Sequence, residues 1–219
     1  MAESPSVKLN AHKSLTYVAI AGLVKLLARA LFRPTVTGAD HVALHGPVLI
    51  APIHRSNVDF AFTLFISRRK VFFMAKDSLF RVPGFGQLIT HLGAFPVHRG
   101  TADRESMTLA EEVLRQGHAL VLFPEGTRKE GRVVAPLHDG AMFMAARTGA
   151  TVVPVGIGGS ERAMPKGAKF PRPAKIRIVV GDAIAPPVSE GRVSRSAITA
   201  KSEELRLELE TVYLESLKG

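Results

Sequence analysis

The segment His54-Arg-Ser-Asn-Val-Asp59 sets an imidazole and a carboxylate five positions apart, and Phe123-Pro-Glu-Gly-Thr-Arg128 supplies a second carboxylate, a glycine and a guanidinium. A carboxylate on one imidazole nitrogen fixes the tautomer and leaves the other nitrogen free to take a proton from an alcohol. Along a regular helix five positions turn a side chain by roughly 500°, about 140° off the starting face, so His54 and Asp59 cannot meet as helical neighbours. They can meet across a helix start: with Ser56 or Asn57 as cap, Asp59 lies in the first turn and reaches back to His54 on the preceding loop. A plainer reading of the same letters is a capping box, with Asp59 serving the helix end and His54 an ordinary loop residue. In the second segment Arg128 offers a planar fork to phosphate oxygens. Glu125 can accept hydrogen bonds from hydroxyl groups or hold Arg128 in place. Gly126 lets backbone approach a ligand closely, and a backbone N–H of this turn could steady an oxyanion. Taken singly, this segment also reads as a solvated loop.

With Gly93-Ala-Phe-Pro-Val-His-Arg99 and Val153-Pro-Val155, these segments stand in the order and approximate spacing of the four sequence blocks of the glycerolipid acyltransferases. The chain resembles that family from about Leu44 to Gly181, most of all its 1-acylglycerol-3-phosphate acyltransferases, which make phosphatidic acid. The second block departs from the commoner pattern in having His98 beside Arg99. The resemblance implies that His54, oriented by Asp59, is a general base. It places Glu125, Gly126, Thr127 and Arg128 in the acceptor site, and aligns Lys76 with a lysine the family often has there. Arg99, ending a strand before Gly100, suits a phosphate ligand or a solvated strand end. The implied substrates are a lysophospholipid and an acyl thioester, carried by coenzyme A or an acyl-carrier protein, with no cofactor and no metal. Glycerol 3-phosphate or another lipid alcohol as acceptor, or a non-catalytic phospholipid-binding module, are the alternative readings.

The 219 residues, 46% hydrophobic and 22% charged, suit a single globular domain with one substantial core. Twenty-nine Lys and Arg against 19 Asp and Glu give a net charge of +10, which favours a polyanionic partner. The absence of cysteine excludes disulfides, thiolate nucleophiles and cysteine zinc sites, and the eight histidines form no tight metal-binding pair. A glycine-rich stretch, Gly156-Ile-Gly-Gly-Ser160, lacks both the spacing and the following helix of a dinucleotide loop. There is no Gly-x-Ser-x-Gly elbow, so a serine nucleophile has no seat.

Ser14 to Phe32 reads as an amphipathic helix whose longest uncharged run falls short of the ~20 apolar residues of a bilayer span. Lys25 and Arg29 share one face, as on a helix lying in a membrane interface with its charges reaching water; packing on the domain core is the competing expectation. Between Glu161 and Arg177 lie Arg162, Lys166, Lys169, Arg172 and Lys175. They suit an anionic bilayer or the phosphates of coenzyme A. Nucleic acid is not expected, because only Phe170 interrupts the charges and stacking would need more aromatics.

Apolar runs predict strands at 47–53, 70–75, 93–97, 118–123, 151–157 and 175–180, and periodicity predicts helices at 57–67, 103–115, 138–147 and 194–217. Strands alternating with helices argue for a single α/β layered domain with a largely parallel central sheet flanked by helices, preceded by the amphipathic helix. The expected division is a membrane-associating segment, 1–33, and an acyltransferase domain, 34–219, held peripherally or monotopically on the cytoplasmic face of a membrane.

Overall fold

The computed structural model describes residues 14–97, 104–188 and 192–218. Its strands are β1 (Thr35–Thr37), β2 (Val48–Pro52), β3 (Val71–Lys76), β4 (Ala94–Val97), β5 (Ala119–Val121), β6 (Thr151–Gly158) and β7 (Arg177–Val180). They form one sheet in the order β1-β7-β6-β2-β5-β3-β4. Five neighbours, β6, β2, β5, β3 and β4, run parallel; β7 is antiparallel to β6, and β1 is parallel to β7. The helices are α1 (Leu15–Phe32), α2 (Asp59–Phe62), α3 (Asp77–Phe80), α4 (Phe85–His91), α5 (Arg104–Arg115), α6 (Gly140–Thr148), α7 (Ser160–Ala163) and α8 (Arg195–Ser216).

The layering follows from strand chemistry. A parallel strand covered on both faces needs apolar residues at every position, and all five residues of β2 are buried. Successive side chains then go to opposite layers. Val48 and Ile50 join Phe32, Phe62, Ile89 and Leu92 on one side of the sheet. Leu49 and Ala51 join Val113, Leu114, Met142 and Ala145 of α5 and α6 on the other. Helix α8 lies close against β6: a Cβ on Gly156 would stand 2.2 Å from the Val212 carbonyl oxygen, and one on Gly158 equally near that of Ser216.

The expected α/β sheet is therefore present, with four local differences. The four-residue helix α7 directly follows the glycine-rich end of β6, where no helix was expected. The helix expected over 57–67 is only the four-residue α2 followed by a 3-10 turn, Thr63–Phe65, because Thr63 Oγ1 bonds back to the Phe60 carbonyl at 2.6 Å and tightens the chain. Helices α3 and α4 fill the stretch between β3 and β4, where no element was expected. The three-residue β1 sits on the edge of the sheet where no strand was expected.

Helix α1 is capped by Ser14, whose hydroxyl accepts the Tyr17 N–H at 3.1 Å. It packs on the domain through Tyr17, Ala21, Ala28 and Phe32, the last edge-on to Phe62 at 5.4 Å. Lys25 and Arg29 lie 5.8 and 5.3 Å from the centre of the Phe65 ring, so the charged stripe runs alongside the domain. The outward side is apolar, with Leu15, Leu23, Leu26 and Leu27 more than half exposed. Taken whole, the 18-residue helix is long and apolar enough to cross a membrane, whereas the uncharged run read from sequence stops at Lys25.

Candidate active site

Because β2, β5 and β3 are parallel neighbours, the segments that follow them emerge side by side at one edge of the sheet, the usual ligand edge of open α/β folds. His54 leaves β2, Phe123 to Arg128 leave β5, and Lys76 closes β3.

The His54 Nδ1 atom lies 3.1 Å from Asp59 Oδ2. The same oxygen accepts the backbone N–H groups of Arg55 and Ser56, both at 2.7 Å. One carboxylate oxygen thus ties the loop backbone and meets the imidazole, while the capping-box reading does not hold. Ser56 is not the helix cap, since Val58 holds that place; its hydroxyl donates instead to the Met164 carbonyl at 2.9 Å. Asp59 is fully buried and the His54 side chain is 12% exposed. With the proton on Nδ1 facing the carboxylate, Nε2 carries the free lone pair. The imidazole stacks on Phe123 at 4.1 Å between ring centres, which fixes its tilt.

Glu125 does not hold Arg128. It is 1% exposed, and its Oε2 accepts the His54 backbone N–H at 2.9 Å while both oxygens lie 2.8 Å from Nη1 of Arg55. Arg55 is the residue that sequence reasoning passed over. Its guanidinium also donates to the carbonyls of His54 (3.2 Å), Gly131 (3.1 Å) and Val133 (3.2 Å), and lies 5.0 Å from the centre of the Tyr213 ring on α8. The available signal was chemical: an acid directly after a buried strand demands a cation, and one stands next to His54. Burial, followed by the nearby Glu161 carboxylate, pushes the Tyr213 phenol above its ordinary range.

Gly126 adopts φ +69°, and a Cβ there would meet the His138 imidazole at 2.9 Å. The close approach it permits is thus to His138. The N–H of Gly126 bonds the Phe123 carbonyl at 3.0 Å and that of Thr127 bonds the Glu125 carbonyl at 2.8 Å, so both are already engaged within the turn. Thr127 is exposed and Arg128 half-buried, with no ion pair among the described residues. Lys129 N–H donates to the His54 carbonyl at 3.0 Å, fastening the two segments together. Lys76 is exposed at the same sheet edge, one strand beyond β5. Arg99 lies outside the described residues. The arrangement can orient an imidazole as a base and present cations to a phosphorylated alcohol.

Comparison with known proteins agrees with this architecture. A family model described as Acyltransferase matches residues 33–158. A 1-acyl-sn-glycerol-3-phosphate acyltransferase of Chlamydomonas reinhardtii is 31% identical over 184 residues, covering 81% of this chain and 54% of the relative. That of Escherichia coli is 30% identical over 114 residues, covering 51% and 46%. The chain thus spans about half the length of these curated relatives. In fold it is similar to the crystal structure of PlsC, the 1-acyl-sn-glycerophosphate acyltransferase of Thermotoga maritima, with a TM-score of 0.76, 24% identity, and coverage of 93% of this chain and 80% of the other. With more than half of its length under the family model, the chain belongs to the acyltransferase family.

Proposed function

We propose that this chain transfers an acyl group from an acyl thioester to the sn-2 hydroxyl of 1-acylglycerol 3-phosphate, giving phosphatidic acid. The observation that carries the reading is the buried Asp59 carboxylate on His54 Nδ1, which leaves Nε2 as the acceptor nitrogen at the ligand edge of the sheet. Nε2 takes the hydroxyl proton as the oxygen attacks the thioester carbonyl carbon. The tetrahedral intermediate then expels the sulfur, which leaves as a thiol with the proton returned by the imidazolium. No covalent acyl-enzyme forms, and no step calls on a cofactor. Arg128 binds the acceptor phosphate, with Lys76 at the same edge and Arg99 as further candidate cations. The donor is acyl-CoA or an acylated carrier protein.

In this reading residues 1–33 attach the catalytic domain, 34–219, to the cytoplasmic face of a membrane. Support comes from the outward apolar side of α1 and from a hollow of about 430 Å³ where Ala30, Leu31 and Arg33 meet Pro173, Ala174 and Lys175 of the basic loop. Cations beside an exposed apolar stripe suit an anionic bilayer surface.

The test is release of free thiol from acyl-CoA with and without lysophosphatidic acid, with product identified by mass. Thiol release that depends on the acceptor and yields phosphatidic acid is expected. Acceptor-independent release would make the protein a thioesterase, preference for glycerol 3-phosphate would change the acceptor, and vesicle binding without any release would leave only a lipid-binding module.

A further inference from the structure

We infer that Arg55 and Glu125 are positioning residues that act through His54, and that Glu125 is not a ligand of the acceptor. The inference rests on the acyl-transfer reading and assigns roles within the same site.

The contacts form a closed circuit. His54 N–H donates to Glu125 Oε2, the Glu125 carboxylate receives Nη1 of Arg55, and the same Nη1 donates back to the His54 carbonyl. A base whose backbone is held at both N–H and C=O has little freedom to move its imidazole. The remaining guanidinium nitrogens fix the other side: Nε on the Gly131 carbonyl and Nη2 on that of Val133 hold the chain just after Arg128, and Tyr213 closes over the group from α8. Arg55 is 4% exposed and Glu125 1%, so neither offers a face to a phosphate or a hydroxyl. Both Glu125 oxygens are engaged within the protein, and their burial keeps the remaining acceptor site from a glycerol hydroxyl. A planar fork is required here because three differently placed carbonyls and a carboxylate are served at once, and an ammonium cannot span them.

Steady-state kinetics on the full chain, with thiol release as signal and thermal unfolding alongside, separate this role from its rivals. Arg55→Lys keeps the buried charge and loses the fork. It is expected to lower kcat by on the order of 10²-fold, with the KM for lysophosphatidic acid unchanged, as for a misplaced base. Glu125→Gln is expected to do the same. Combining Arg55→Met with Glu125→Gln removes both buried charges and should regain melting temperature relative to Arg55→Met alone without regaining kcat. A raised acceptor KM in Glu125→Gln but not in Arg55→Lys would make Glu125 a substrate ligand and overturn the inference. Recovery of kcat together with melting temperature in the double variant would reduce the pair to a structural one. Should Arg55→Met not fold, Arg55→Lys and Glu125→Gln carry the test by their kcat and KM. A wild-type protein that releases no thiol would overturn the acyl-transfer reading and, with it, this assignment.

Discussion

Two imidazoles stand at opposite ends of β5, and each is stacked on a phenylalanine: His54 on Phe123 at 4.1 Å, His118 on Phe72 at 5.3 Å. Their neighbours differ. His54 meets the buried carboxylate of Asp59. His118 precedes β5 at the amino edge, beside Arg69, which binds the carbonyls of Ala43, Gly46 and Gly117, and Lys70, whose ammonium lies 5.0 Å from the centre of the Phe72 ring. Partial burial, then Arg69 and Lys70, lower the His118 pKa from its ordinary value. Similar aromatic seating near the two ends of one strand therefore yields two different groups. The carboxylate, rather than the stacking or the place in the sheet, distinguishes the candidate base from a structural imidazole.

Replacing the imidazoles breaks the comparison most severely. His54→Ala is expected to cut turnover by about 10²- to 10⁴-fold, the worth of a positioned base, while His118→Ala stays near the wild-type rate. Equal losses in the two purified variants, assayed by thiol release, would erase the distinction. Next comes Asp59→Asn, expected to lower kcat by on the order of 10²-fold through a misoriented ring. A shift confined to KM would show that Asp59 does not act through His54. In the turn itself, Gly126→Ala places a Cβ at φ +69° against His138, and calorimetry should register a loss of about 1–3 kcal/mol. An unchanged melting temperature would mean that the turn relaxes freely.

The smallest effect belongs to the amino edge. A folded-state pKa below the unfolded one means that the unfolded chain binds the proton first as pH falls. The full stability is present above about pH 6.5, the unfolded histidine value, and declines below it toward the depressed folded value. Chemical denaturation of His118→Gln should therefore lose less stability between pH 7 and pH 5 than the parent. Identical slopes would remove His118 from the balance.

The central strands were legible because parallel strands buried on both faces are written as unbroken apolar runs. The expected limits at 47–53 and 151–157 differ from β2 and β6 by only one residue at an end. The segment 77–92 was not legible: Pro83 and Gly84 split it into helices of four and seven residues, too short to display a period. Within the candidate site, local spacing revealed His54 and Asp59, because their contact spans one loop. The partnership of Arg55 with Glu125 bridges 70 positions and depends on β2 and β5 lying side by side, which no short window displays. Tyr213 gave no signal, since its meeting with Arg55 is made by the docking of α8.

That docking gives the two bare positions on β6 a reach beyond their own strand. Only hydrogen atoms separate the main chain at 156 and 158 from the carbonyls of α8, and the ring that covers Arg55 is borne by the very turn resting on Gly156. A single methyl group there would push the last helix outward and lift its aromatic lid from the guanidinium, so the candidate site is gauged from beneath by the thickness of a glycine.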